Sequence, residues 1–373
     1  MVVTKSAATS PGAGCQVIGT FTVDSDLVDV SLNQSTGIVK QANTNTTGTP
    51  NGFIEIVTVS EGGVEVADSP SNYSIYWLDE SRSEITSSAV DGTIASGTLN
   101  RLEELENGFY FIEVTNVVTG CISDEILIYV GDPFVWSGAV DIDWNEGGNW
   151  VGGVVPPATA DALIPDEETI DNNPTLYREI TINNLIVEDG GFLAVTGDYL
   201  LVNGSLLNDG EIFISGEQSL VLMGTRLGAG RSQAFQQLRG SFAWQIIGLP
   251  ITGGNYDTSN SLFFTYDNEQ QEFVRKFGAP APGEGMFLAI GREDLTGNGV
   301  DFNTGRGILN FGEINRDISL NSDGFNLVAN PYAASIDAQA FFSNPDNMMY
   351  TTGTAFLWND AGVNVGGLRG GDY

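Results

Sequence analysis

No histidine occurs anywhere in this 373-residue chain. Its absence removes the usual general base at neutral pH and the commonest ligand of transition metals, so catalytic triads and zinc centres are not expected. Bases of any kind are scarce: 14 against 48 acids, for a net charge of −34, with Lys5, Lys40 and Lys276 the sole lysines. Such a chain repels a phosphate backbone, which excludes nucleic acid as a partner. There is no run of 18 apolar residues and no apolar stretch within residues 1–20, so no membrane span and no signal peptide is read in this segment. Long apolar stripes of helical period are missing too. In their place stand 47 glycines and abundant Thr, Ser, Asn and Val, which predict short strands joined by many turns. The fold class read from this is all-β, in several domains.

Carboxylate-only chemistry such as glycoside hydrolysis needs no histidine, but among 48 acids no pair stands out, and no catalytic residue is assigned. The two cysteines, Cys15 and Cys121, close two similar phrases, VTKSAATSPGAGC from Val3 and VTNVVTGC from Val114. They are disulfide candidates, with each other or with partners outside the segment. The duplicated phrase also predicts that the numbered start lies inside a tandem array, with residues 1–20 ending a preceding repeat.

Residues 21–133 alternate as a sandwich does: FIEIVTV from Phe53, YSIYWL from Tyr73, GFYFIEVTNV from Gly108 and EILIYV from Glu125. The phrase LEELENGFYFIEVTNVVTGC resembles the Ig-like repeats of Bacteroidota cell-surface and gliding-motility adhesins. It departs from them in having no clear cysteine near Asn51 and Gly52. A proline linker, Gly131-Asp132-Pro133, follows.

Residues 134–235 open with VWSGAVDIDWNEGGNW, then GGVVPPATADALIP and DNNPTL. This passage looks like a tryptophan-rich module recurrent in large secreted proteins of Bacteroidota, many exported by type IX secretion. Trp136, Trp144 and Trp150 have two readings: a packed structural cluster, or a platform for stacking carbohydrate rings. Asp141, Asp143 and Asn145 read either as one solvated strand face or as part of a calcium loop, and Asp294, Thr296 and Asn298 as a second calcium candidate or an Asn-Gly hairpin. No other cofactor is expected. From Ile180 to Met223 short strands recur between Gly, Asn and Asp, which predicts a short β-helix or β-roll of two to four coils, with an antiparallel meander as the competitor.

A polar, helix-compatible spacer is read near Gln233 to Leu238, followed by a second β-sandwich over 236–373. Its pieces are Gly248-Leu249-Pro250, Tyr266-Asp267, Pro282-Gly283-Glu284-Gly285 and Gly324 through Tyr332, reading GFNLVANPY. They resemble a sandwich region of the same Bacteroidota proteins. The resemblance implies an extracellular, outer-membrane-associated structural or adhesive segment used in attachment, gliding or fibre formation. Implied partners are neighbouring modules of one long chain and the type IX machinery, with surface polysaccharide a further candidate. The alternative is a carbohydrate-binding accessory region of a secreted polysaccharide-degrading protein.

Overall fold

The computed structural model describes residues 30–66, 73–85, 89–91, 99–215, 218–238, 244–254, 261–290, 300–320, 324–349, 351, 359–365 and 368–372. Almost all regular structure among them is β, and the chain divides into two compact units, Met1–Val130 and Gly131–Tyr373. The reading of 1–20 as the end of a preceding repeat lies outside the described residues.

The first unit is an Ig-like sandwich. One antiparallel sheet places Gly52–Ile56 between Ile38–Gln41 and Leu99–Leu105; the other places Gly108–Asn116 between Tyr73–Leu78 and Ile126–Val130. Side chains alternate across a strand, so a period of two sorts them between core and solvent. Tyr73, Ile75 and Trp77 turn inward, whereas Tyr76 is exposed. They pack with Ile54, Ile56, Leu102, Ile112 and Val114 into one core. Two side chains tie the edge strand Ile126–Val130 to the opposite sheet's side of the molecule: Lys40 Nζ donates to the Tyr129 carbonyl at 2.8 Å and Gln34 Nε2 to that of Leu127 at 3.4 Å.

The second unit begins as a parallel β-solenoid of about four turns, with three faces. The first face stacks Phe134–Val135, Ala162–Ile164, Leu185–Val187, Leu206–Asn208 and Arg226–Leu227. The second stacks Thr175–Leu176, Phe192–Val195, Glu211–Ile214 and Arg231–Leu238, and the third Ile180–Ile182, Tyr199–Val202 and Ser219–Leu222. Within these three stacks each strand is parallel to the next, which excludes the meander. Rungs this short cannot bury an apolar face alone; stacking does it for them, through ladders such as Ile180, Leu200 and Leu220.

The corners explain the Gly, Asn and Asp punctuation. Asp161 Oδ1 accepts from Asn184 N, Asn184 Oδ1 from Ser205 N, and Ser205 Oγ from Thr225 N, each at 2.7–2.9 Å, so one side chain per coil satisfies the backbone of the next. At another corner Gly191, Gly210 and Gly230 stack; a Cβ on Gly210 would stand 2.2 Å from the Gly191 carbonyl oxygen.

Residues Gln233 to Leu238 are not a helical spacer. They belong to the strand Arg231–Leu238, the last rung of the second face, and pair on their far side with the antiparallel strand Val300–Leu309. Arg, Gln, Ala and Leu suit a helix, but pairing overrides that weak preference: Arg231–Ala234 pair with Glu211–Ile214 and Ser232–Leu238 with Val300–Leu309. The antiparallel part that follows is thus continuous with the solenoid. Its four-stranded sheet, ordered Trp244–Ile247, Met286–Ile290, Ser261–Asp267, Glu272–Arg275, buries Ile247, Leu249, Phe263, Met286 and Leu288. Asn310 draws two separate sequence pieces together: its Nδ2 donates to the Leu249 carbonyl at 3.2 Å and to that of Pro331 at 2.9 Å. Ala333, next to the NPY turn, enters the solenoid core and its carbonyl accepts from Leu220 N at 2.7 Å.

Glu284 of the Pro-Gly-Glu-Gly turn is 7% exposed and receives Lys276 Nζ at 2.8 and 3.0 Å and Ala281 N at 2.9 Å. Burial pushes its pKa up, but the bonds from Lys276 and Ala281 and the charges of Lys276 and Arg316 outweigh burial, leaving it below the ordinary value of 4.5. A depressed carboxylate pKa contributes stability that is present above the unfolded-state value and lost as pH falls through the folded one. Glu284→Gln is expected to destabilise the chain by about 3 kcal/mol at pH 7, with the gap to the parent closing as pH falls below the ordinary carboxylate value of 4.5 and through the lower folded-state one, in thermal melts. Gly210→Ala should cost about 2 kcal/mol in the same assay, because the methyl meets backbone and not a yielding side chain.

Candidate functional site

A parallel stack has ends, and the residues singled out in the sequence build the first of them. Phe134–Val135 pairs in parallel with Ala162–Ile164, and Trp136 N continues the ladder to the Leu163 carbonyl at 2.9 Å. The chain then crosses to the second face, where Trp144 N donates to the Thr175 carbonyl at 3.2 Å and Thr175 N to that of Ile142 at 2.7 Å. A short 3-10 turn, Gly147–Asn149, capped by Glu146, returns it to Trp150. Backbone that would end unpaired on two faces of the first coil is satisfied in this way.

Between those contacts the three indoles meet. Trp150 stands edge-on to Trp144 at 4.7 Å and to Trp136 at 5.1 Å, and Trp136 lies near parallel to Trp144 at 6.3 Å. Edge-to-face rings at such spacings are the favourable arrangement. Each indole is at most 2% exposed. Their nitrogens stay satisfied where shown: Trp136 Nε1 donates to the Asn172 carbonyl at 2.7 Å, and Trp150 Nε1 to that of Trp144 at 2.9 Å. The cluster is continuous with the core of the coils through Ala162, Ile164 and Leu176.

This geometry corrects the reading of Trp136, Trp144 and Trp150 as a carbohydrate platform. A sugar needs an exposed ring face, and these faces are covered by each other and by the first coil. The reading of Asp141, Asp143 and Asn145 as a solvated strand face is corrected as well, because they lie in consecutive turns. Asp141 Oδ1 accepts from Asp143 N and from Asn149 Nδ2, both at 2.8 Å, and Asp143 Oδ1 accepts from Asn145 N at 2.9 Å. Short acidic side chains favour such turns by mimicking a backbone acceptor. Among the described residues no group of three or more His, Cys, Asp or Glu side chains is gathered to hold a metal ion. The calcium candidates Asp294, Thr296 and Asn298 lie outside the described residues, as does Cys15. Cys121 is half-buried and has no disulfide among the described residues.

One residue of the cap carried no assigned role in the sequence, and it organises the whole turn. Asn149 is fully buried, and its Oδ1 accepts from Val140 N and Asp141 N at 2.9 Å each. Its Nδ2 donates to Asp141 Oδ1 at 2.8 Å and to the Asp143 carbonyl at 2.9 Å, so all four capacities of the amide are used. An asparagine directly before a tryptophan, eight residues after an aspartate, was the visible signal.

Over residues 135–365, well over half of the chain, the sequence matches a family described as a domain of unknown function, DUF8693. The matched span starts at the strand that opens the cap. No curated protein and no solved structure matches the chain.

Trp144→Ala is expected to cost about 4 kcal/mol and Asn149→Ala about 3 kcal/mol, measured by denaturant unfolding of the full chain. Asn149→Asp should be costly too, since a carboxylate cannot supply the two donated bonds.

Proposed function

We propose, from the premise that the chain belongs to the DUF8693 family, that it is a structural and adhesive segment of a large extracellular surface protein. In this reading it holds neighbouring modules of one long chain in place outside the cell and has no catalytic role. Export by the type IX system is part of the proposal and rests on the sequence resemblance alone.

The observation that carries it is the use made of the recurrent tryptophans. The most specific sequence feature of the chain is consumed in closing a solenoid, which is what a scaffold requires and what a ligand platform does not. The charge supports the same reading: at −34, with screening within roughly 8 Å at physiological salt, the surface stays soluble and does not bind polyanions nonspecifically. The described residues include no helix long and apolar enough to cross a membrane, a statement that leaves β-barrels aside.

The test is immunolabelling of intact cells of the source organism with antibodies to residues 135–365, with and without external protease. Surface label that protease removes, and that disappears from the surface when type IX export is disabled, is the expected result. Label confined to the cytoplasm would overturn the proposal.

A further inference from the structure

The second face of the solenoid presents an outer surface unlike the rest of the protein. Its inward residues, among them Leu193, Ile212 and Ile214, fill the core, which turns the alternate residues outward. Register sets those in two cross-strand rows: Phe192, Glu211, Arg231 and, beside it, Ala194, Phe213, Gln233, Arg306. Phe235 follows Gln233 by two residues, with the buried Ala234 between them, and so lies on the same side, where its ring meets Phe213 at 5.1 Å.

Phe192, Phe213 and Phe235 are each half-buried, so part of each ring reaches solvent. They form an aromatic strip on stacked strands, a rigid base for a binding surface. Around it stand groups that both donate and accept hydrogen bonds. Glu211 is the one carboxylate in those rows, and Arg306 neutralises it at 2.9 Å. Arg231 is exposed and has no ion-pair partner among the described residues. In a chain of 48 acids and 14 bases, these two rows hold one carboxylate against two arginines.

We infer that this face binds a neutral linear polysaccharide laid across the strands. Pyranose rings offer an apolar C–H face to the phenylalanines and hydroxyls to Arg231, Gln233 and the Glu211–Arg306 pair. Strands spaced roughly 4.8 Å apart repeat at close to the rise of one sugar along an extended glycan. The charge argues for a neutral chain: the face nets only the single positive charge of Arg231 once Glu211 and Arg306 pair, while the acidic remainder of the protein repels a polyanion. The inference does not rest on the surface-adhesin reading, since an accessory region of a degrading protein would use the same face.

The experiment is affinity electrophoresis of the full chain through gels containing cellulose derivatives, xylan or mannan, with alginate as the polyanionic arm. Phe213→Ala and Arg231→Ala are run beside the parent, with thermal melts of each. Retardation by at least one neutral glycan is expected, weakened about tenfold by Phe213→Ala. Because Phe213 also packs, the exposed Arg231→Ala, with an unchanged melt, is the control and should weaken binding several-fold. No retardation by any neutral glycan, retardation by alginate alone, or binding untouched by both variants would overturn the inference.

Discussion

Closing the first coil is the constraint on which the second unit depends. Parallel rungs of two to four residues have no stability of their own, and a stack of them leaves apolar side chains and unpaired backbone at each end. Water would compete at both ends unless something covers them. At the first end Trp136, Trp144 and Trp150 supply the apolar cover, and the backbone of residues 134–136 and 142–144 supplies hydrogen bonds. Three large rings suit this role because they cover the open end of a triangular coil with little chain.

The other end is closed by different means on each face. Val300–Leu309 pairs along the second face, the Ala333 carbonyl takes the Leu220 amide on the third, and Arg226 reaches the carbonyls of Gly228 and Gly230 beside the first. The antiparallel part is therefore more than a following module: Ile251, Leu309 and Ala333 lie in the same core as the tryptophans. Such shared burial makes the unit cooperative, because losing either end exposes the ladders between.

Much of this was legible in the sequence, for physical reasons that differ by residue. Tyr73, Ile75 and Trp77 announce a strand because their period is two. The Gly, Asn and Asp between short apolar runs announce corners, since each coil repeats the same need for a close approach or a side-chain acceptor. The fate of the tryptophans was not legible: a ring that stacks on a sugar and one that stacks on a neighbour have the same local sequence. Asn149 escaped notice because its four partners come from residues 140 to 143, brought near only by the fold of the turn. Gln233 to Leu238 misled because intrinsic preference and available pairing pointed in opposite directions there. The strip of Phe192, Phe213 and Phe235 depends on register between coils, which no single strand encodes.

The central claim, that cap and coils form one cooperative core, is tested most directly by native-state hydrogen exchange on the full chain. The account predicts that the amides of Trp144 and Trp150 exchange with the same opening free energy as those of Leu185, Leu206 and Ile212, and respond alike to denaturant. Cap amides that open readily while the coil amides remain protected would contradict it, and would make the tryptophans an appendage to a solenoid that stands without them.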